Sequence, residues 1–131
     1  NAIVFSSVQF GISVMRLGDV LMVTVPADPD DDTVSDLQVQ VLKAMEHSSA
    51  LGLILDISTV ETVDSFFART ITETVQMVAL MGGVTVLSGM RSTVAVTTTQ
   101  LGLRLGDTPT ALDIDRAMVK LREVLAERQI T

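Results

Sequence analysis

The sequence predicts an α/β domain: a small, mostly parallel mixed sheet with four to five helices packed on it. Three observations carry that expectation. Short runs rich in Val, Leu and Ile (VLMVTV at 20–25, LGLILDI at 51–57, VTVLSG at 84–89) alternate with longer stretches whose apolar residues recur at helical spacing. Those runs are nearly continuous rather than alternating, which suits strands covered on both faces. Glycines stand just past the helical stretches, at Gly82-Gly83 and Gly102, where a chain leaves a helix.

Taken in order, residues 12–25 read as a hairpin: ISVMR, a turn at Leu17-Gly18-Asp19, then VLMVTV ending at Pro26. The acidic loop ADPDDDT leads into a helix whose face is Val34, Leu37, Val41, Ala44 and Met45, ending near His47 to Ser49. LGLILDI is a buried strand, and a helix follows from Ser65 to Leu80. VTVLSG is the next strand, residues 92–101 a short Thr-rich helix, and 110–112 a short strand. Asp113 caps a final helix with Ile114, Ala117, Met118, Leu121, Val124 and Leu125 on its inner face. The expected order is β-β-α-β-α-β-α-β-α, one domain over 12–128. Residues 1–11 are an N-terminal segment ahead of it, with Asn1-Ala2 read as a cloning remnant.

Composition limits the function. The chain has 131 residues, enough for one domain with a real core. It is 47% apolar but only 3% aromatic, so Val, Leu, Ile, Met and Ala must build the interior. Sixteen acids against nine bases give a net charge of −7, which argues against nucleic acid, since phosphate neutralisation requires a basic face. With no cysteine there are no disulfides, thiolate metal sites or cysteine nucleophiles. No stretch reaches the roughly 18 uninterrupted apolar residues of a membrane span. The opening NAIVFSSVQF lacks the basic start of a signal peptide, and the missing initiator Met points to a processed or trimmed chain. The expectation is a cytoplasmic domain with no membrane partner.

Catalytic constellations are missing from the sequence. The lone histidine, His47, falls at a helix C-terminus, where a basic residue is ordinary. No phosphate-binding glycine loop and no nucleophile elbow occurs. Asp28, Asp30, Asp31 and Asp32 resemble half of a calcium loop, but Thr33 and Val39 stand where the glycine and the bidentate glutamate belong. These acids read as a solvated loop beside a helix N-terminus, so neither metal nor cofactor is expected.

The run DISTVETVDSFFARTI (56–71) carries the chemistry that remains. Asp64 suits an N-cap, because its carboxylate can accept the free first-turn amides. Ser65 follows, at the carboxyl end of a parallel strand, a usual location for function. A phosphate there would add about −1.5 to −2 charges. The helix N-terminus would tolerate that charge, and Arg69, one turn on, could pair with it. Of Phe66 and Phe67, about 100° apart on a helix, one should be core and the other an exposed anchor. Ile71, Val75, Val78 and Ala79 complete the expected buried stripe.

DISTVETVDSFFARTI, MGGVTVLSGMRSTVAVTTTQLG and TALDIDRAMVKL together resemble the STAS domain of bacterial sigma-factor regulation, over roughly Ile12 to Leu125. More narrowly, they resemble the RsbS-type scaffold of the stressosome, an antagonist of a serine/threonine switch kinase. The resemblance implies the STAS fold and a non-catalytic scaffold that holds the kinase, is phosphorylated by it on Ser65, and so releases it to a stress-response pathway. Larger co-scaffold relatives carry a threonine at the place of Ser65 and a second phosphorylated threonine at the place of Thr97, which makes Thr97 a secondary candidate. Partner contacts are expected from Ser58, Thr59, Thr62, Asp64, Ser65, Phe66 and Arg69. The implied partners are the kinase and paralogous STAS proteins in a large assembly, with a homodimer as a further expectation. Alternatives are a simple anti-anti-sigma factor, or a STAS domain that senses a small ligand or nucleotide. Ser92 departs from the family pattern, which has proline there, so the third helix is expected to start differently.

Overall fold

The computed structural model describes residues 3–102 and 107–130. Asn1-Ala2, read above as a remnant, lie outside them. Six strands form one sheet in the order β1-β2-β3-β4-β5-β6, made of Ile3–Gln9, Ile12–Leu17, Val20–Thr24, Gly52–Asp56, Val84–Ser88 and Thr110–Ala111. The two outer pairings β1–β2 and β2–β3 are antiparallel, whereas β3–β4, β4–β5 and β5–β6 are parallel. Four helices are described: α1 (Asp31–Ser48), α2 (Ser65–Leu80), α3 (Ser92–Gln100) and α4 (Ile114–Ile130). This is the mostly parallel α/β sheet that the sequence predicts.

The N-terminus adds a strand that the expected element order lacks. The segment placed ahead of the domain supplies β1, which pairs with β2 from Ile3↔Leu17 to Gln9↔Ile12. The connecting turn is Phe10-Gly11, both at positive φ (56° and 74°), the conformation that closes a two-residue hairpin. Phenylalanine is not a residue that sequence patterns associate with that turn, and Ser6, Ser7 and Gln9 break the apolar run.

The sheet has two unequal layers. Alternate residues of β2 and β3 (Ile12, Val14, Leu21, Val23) join Leu53 and Leu55 of β4 beneath Val34, Leu37, Val41 and Met45 of α1 and Phe67, Ile71 and Val78 of α2. Val94 of α3 belongs to the same cluster. On the opposite face α4 lays Ala117 and Leu121 on Val20, Ile54 and Val86. Its approach depends on Gly52, where an added Cβ would lie 2.6 Å from a Leu121 methyl. Phe67 is the one aromatic among the buried residues described, consistent with a core of aliphatic side chains.

The stripe on α2 differs in part from expectation. Phe67, Ile71 and Val78 are buried and Val75 is half-buried, but Ala79 is exposed. Thr70 and Thr74 take buried places that periodicity alone assigns to apolar residues. Thr74 remains satisfied inside: its Oγ1 donates to the Thr70 carbonyl at 2.7 Å and accepts from Gln38 Nε2 at 3.1 Å.

Candidate functional site

The carboxyl ends of β3, β4 and β5 bring three loops together at one pole of the sheet. Ile57 N donates to the Ser88 carbonyl and Val25 N to the Asp56 carbonyl, both at 3.0 Å, extending the ladder into the loops. The loop 57–64, between β4 and α2, then turns back through Val60 N donating to the Ile57 carbonyl at 3.1 Å. Asp56 Oδ1 accepts Ser58 N at 3.0 Å, and Val60 is fully buried beneath the loop.

Neighbouring loops hold this segment from both sides. Thr59 Oγ1 donates to the Val25 carbonyl at 3.1 Å. From the β5–α3 side, Arg91 Nε donates to the Ser58 carbonyl at 2.8 Å and Thr93 Oγ1 to the Glu61 carbonyl at 2.6 Å. Gly89 (φ +77°) lets the two turns touch, since a Cβ there would lie 2.6 Å from Ser58 Cβ. With Ser92 in place of proline, α3 starts at Ser92 and its cap residue Arg91 makes no side-chain cap. The Arg91 side chain reaches across to Ser58 instead.

Asp64 closes the loop as the N-cap of α2, its Oδ1 accepting the Phe67 amide at 2.9 Å. Ser65 is the first helical residue and is exposed. Arg69, one turn along, is exposed as well. Ser58, Thr59 and Thr62 are exposed on the loop, and Phe66 is half-buried against the main core while Phe67 is 4% exposed. Beside the cap, a cavity of about 310 Å³ is lined by Asp28, Pro29, Thr62, Val63, Asp64 and Phe67. Ser58, Thr59, Thr62, Asp64, Ser65, Phe66 and Arg69 therefore share this pole.

Thr97 occupies a different setting. It is half-buried on α3, and its Oγ1 donates to the Thr93 carbonyl at 2.9 Å. Sequence reasoning missed the tethers themselves, Arg91 and Thr93. Their bonds join residues 33 and 32 positions apart, a distance at which local patterns carry no signal.

Charge at this pole is mostly negative. Asp28, Asp30, Glu61 and Asp64 are exposed, with Arg69 and Arg91 as the nearby bases. Asp30 caps α1 by accepting the Thr33 amide at 2.8 Å. That backbone bond, helped by the Thr33 hydroxyl, holds the Asp30 carboxyl below the usual carboxylate value. Among the described residues, no group of three or more His, Cys, Asp or Glu side chains converges as a metal site would require. No helix among them is long and apolar enough to cross a membrane.

The site is thus an acid-serine pair presented at a helix start by an ordered loop, on a mixed, mostly parallel α/β sheet edged by a hairpin. The chain belongs to the STAS domain family, whose model matches residues 12–117. A serine-to-glutamate variant of RsbS from Moorella thermoacetica superposes with a TM-score of 0.80 at 29% identity, covering 88% of this chain and 97% of that one. A chain from the molecular architecture of the stressosome, a signal integration and transduction hub, gives a TM-score of 0.73 at 28% identity, covering 86% and 97%. The anti-sigma factor antagonist SpoIIAA in its unphosphorylated form has a TM-score of 0.64 at 11% identity over 83% and 94%, a likeness of fold alone. No curated protein sequence matches. Together these likenesses support a regulatory role for this STAS domain.

Proposed function

We propose that this protein is a non-catalytic scaffold that binds a serine/threonine switch kinase through the pole around Ser65. In this reading the kinase phosphorylates Ser65, is released, and so passes a stress signal to a sigma-factor or related pathway. The observation that carries the proposal is the setting of Ser65. It is exposed at the first turn of α2, directly after the capping Asp64, where the loop held by Arg91, Thr93 and Thr59 runs into the helix. A kinase can reach it without unfolding anything, and the surface it docks against is already ordered.

The chemistry belongs to the kinase. Ser65 Oγ forms a bond to the γ-phosphorus of ATP as the bond to the β–γ bridging oxygen breaks, and the hydroxyl proton passes to the kinase's base. The product carries about −1.5 to −2 charges at the positive end of α2, where the fold tolerates it. A partner docked on the same surface then meets a strongly hydrated dianion beside Asp64 and dissociates. Thr97 is a poorer acceptor, since its hydroxyl must first leave the Thr93 carbonyl.

The likeness to RsbS and to a stressosome chain supports assembly with paralogous STAS domains in a cytoplasmic particle. Incubation with a serine/threonine switch kinase of the same organism and ATP, followed by mass spectrometric mapping, tests the reading. Phosphate on Ser65, absent in Ser65→Ala, and loss of kinase binding by Ser65→Asp are expected. Unmodified Ser65, or full kinase binding by Ser65→Asp, would overturn it. Size-exclusion chromatography with a co-scaffold separates this reading from a simple anti-anti-sigma factor, which forms no large particle.

A further inference from the structure

A second concave surface lies away from the Ser65 pole. A groove of about 520 Å³ runs between the β1–β2 hairpin and α1, within the size range of small-molecule sites. Its floor is mostly apolar, formed by Val14 of β2 and Ala44 of α1. Gln40 ties the helix to the hairpin, its Nε2 donating to the Gln9 carbonyl at 3.2 Å and also to the Asp36 carboxylate.

Three basic side chains line this groove: Arg16, Lys43 and His47. Their convergence follows from the fold. On β2 the inward row Ile12, Val14, Arg16 passes from core to groove, and on α1 Lys43 and His47 are one turn apart on the same face. Arg16 Nε donates to the Gly18 carbonyl at 2.7 Å, which orients the guanidinium, and its terminal nitrogens have no partner among the described residues. Lys43 and His47 likewise make no ion pair or side-chain hydrogen bond among the described residues. Elsewhere Arg116 pairs with Asp113 and Arg122 with Asp19, whereas no carboxylate lines this groove. Three basic side chains around an apolar floor, with no carboxylate lining it, suit an anionic ligand.

We propose that this groove binds a small organic anion, an apolar body ending in one carboxylate or phosphate. The head group takes Arg16, Lys43 and His47, where a guanidinium gives oriented bonds and an ammonium a mobile charge. The body covers Val14 and Ala44. The site is independent of the kinase reading, since it lies along the hairpin and involves no residue of the Ser65 pole. It also reaches beyond the family match, because Ser7 and Gln9 of its wall precede residue 12, where that match begins.

The test titrates decanoate and decyl phosphate, each below its micelle-forming concentration, into the full chain and follows backbone amide shifts by NMR. Decyltrimethylammonium is the control, with the same tail and the opposite charge. Saturable one-to-one shifts at Ser7, Arg16, Lys43 and His47 are expected with at least one anion and none with the cation. The two anions separate a carboxylate site from a phosphate site. Lys43→Gln, an exposed helix position that leaves the fold intact, should weaken binding at least five-fold; Arg16→Gln combined with it should abolish saturation. No saturable shift with either anion, equal binding of the cation, or undiminished binding by Lys43→Gln overturns the proposal. So does a mass that rises with protein concentration and falls in Lys43→Gln without anion binding, which would assign the groove to an acidic segment of a second copy.

Discussion

Arg91 Nε donates to the carbonyl oxygen of Ser58 at 2.8 Å, so the turn that starts α3 holds the loop that presents Ser65. An arginine that caps its own helix through the backbone alone, while its side chain secures a neighbouring loop, couples two strand ends. Arg91→Ala removes that bond, and Arg91→Lys keeps the charge without the fixed fork of the guanidinium. Because the pair is exposed, stability should fall by only about 0.5–1.5 kcal/mol. Amide exchange over 58–62 should quicken several-fold while that of β4 stays unchanged. Kinase binding should weaken in both variants. Unchanged exchange in Arg91→Ala would mean that the loop is ordered without the tether.

Gly89 has the other half of that relationship. Its φ of +77° disfavours a side chain, and a Cβ would also press on Ser58 Cβ at 2.6 Å and Ser58 Cα at 3.0 Å. Gly89→Ala should therefore destabilise by more than the roughly 1 kcal/mol expected of a positive-φ glycine alone. Gly52→Ala makes a useful contrast, because it presses on the buried Leu121 side chain rather than on the Ser58 loop. The urea midpoint should drop in both, but only Gly89→Ala should also impair phosphorylation of Ser65. Equal phosphorylation rates in the two variants would separate the glycine from the site.

How much of this was legible in the sequence depends on the range of the interaction. The start and end of α2 were readable because Asp64 and Gly82-Gly83 are local signals. The core faces of α1 and α4 followed from period alone. β1 was not legible: it is an edge strand interrupted by Ser6, Ser7 and Gln9, and its turn uses Phe10 at positive φ. Thr74 escaped notice because a hydroxyl looks polar in sequence yet becomes compatible with burial once it bonds inside the helix and to Gln38. The site residues fell within one quoted run, but the bonds that order them come from Val25, Arg91 and Thr93, which only the folded sheet brings near.

The cap of α1 gives a pH dependence with a definite sign. Asp30 is held below the usual carboxylate value by the Thr33 amide and, secondarily, by the Thr33 hydroxyl. A depressed folded value means that its contribution is present above the unfolded value, and is lost as pH falls through the folded one. Asp30→Ala should lower the melting temperature near neutral pH. The gap from the unsubstituted protein should begin to close as pH falls below about 4 and go on closing toward about 2. A gap that stays constant over that range would show that the carboxylate does not act through its charged form.

Phe66 and Phe67 are adjacent, yet the helix places them in different surroundings. Phe67 is 4% exposed within the main cluster and also borders the cavity beside Asp64, whereas Phe66 is half-buried at the edge of that cluster. Phe67→Ala should cost about 3–5 kcal/mol, the range for deleting a buried aromatic. Phe66→Ala should cost about 1–2 kcal/mol, as only part of its surface is withdrawn from water. On the proposed docking surface, Phe66 offers a large apolar contact next to Ser65, and such anchors dominate binding energy. Its removal should therefore weaken kinase capture at least ten-fold at a temperature where the variant stays folded by circular dichroism. Urea denaturation and kinase pull-down on both variants separate the two roles, because a purely structural Phe66 would leave capture by the folded protein untouched.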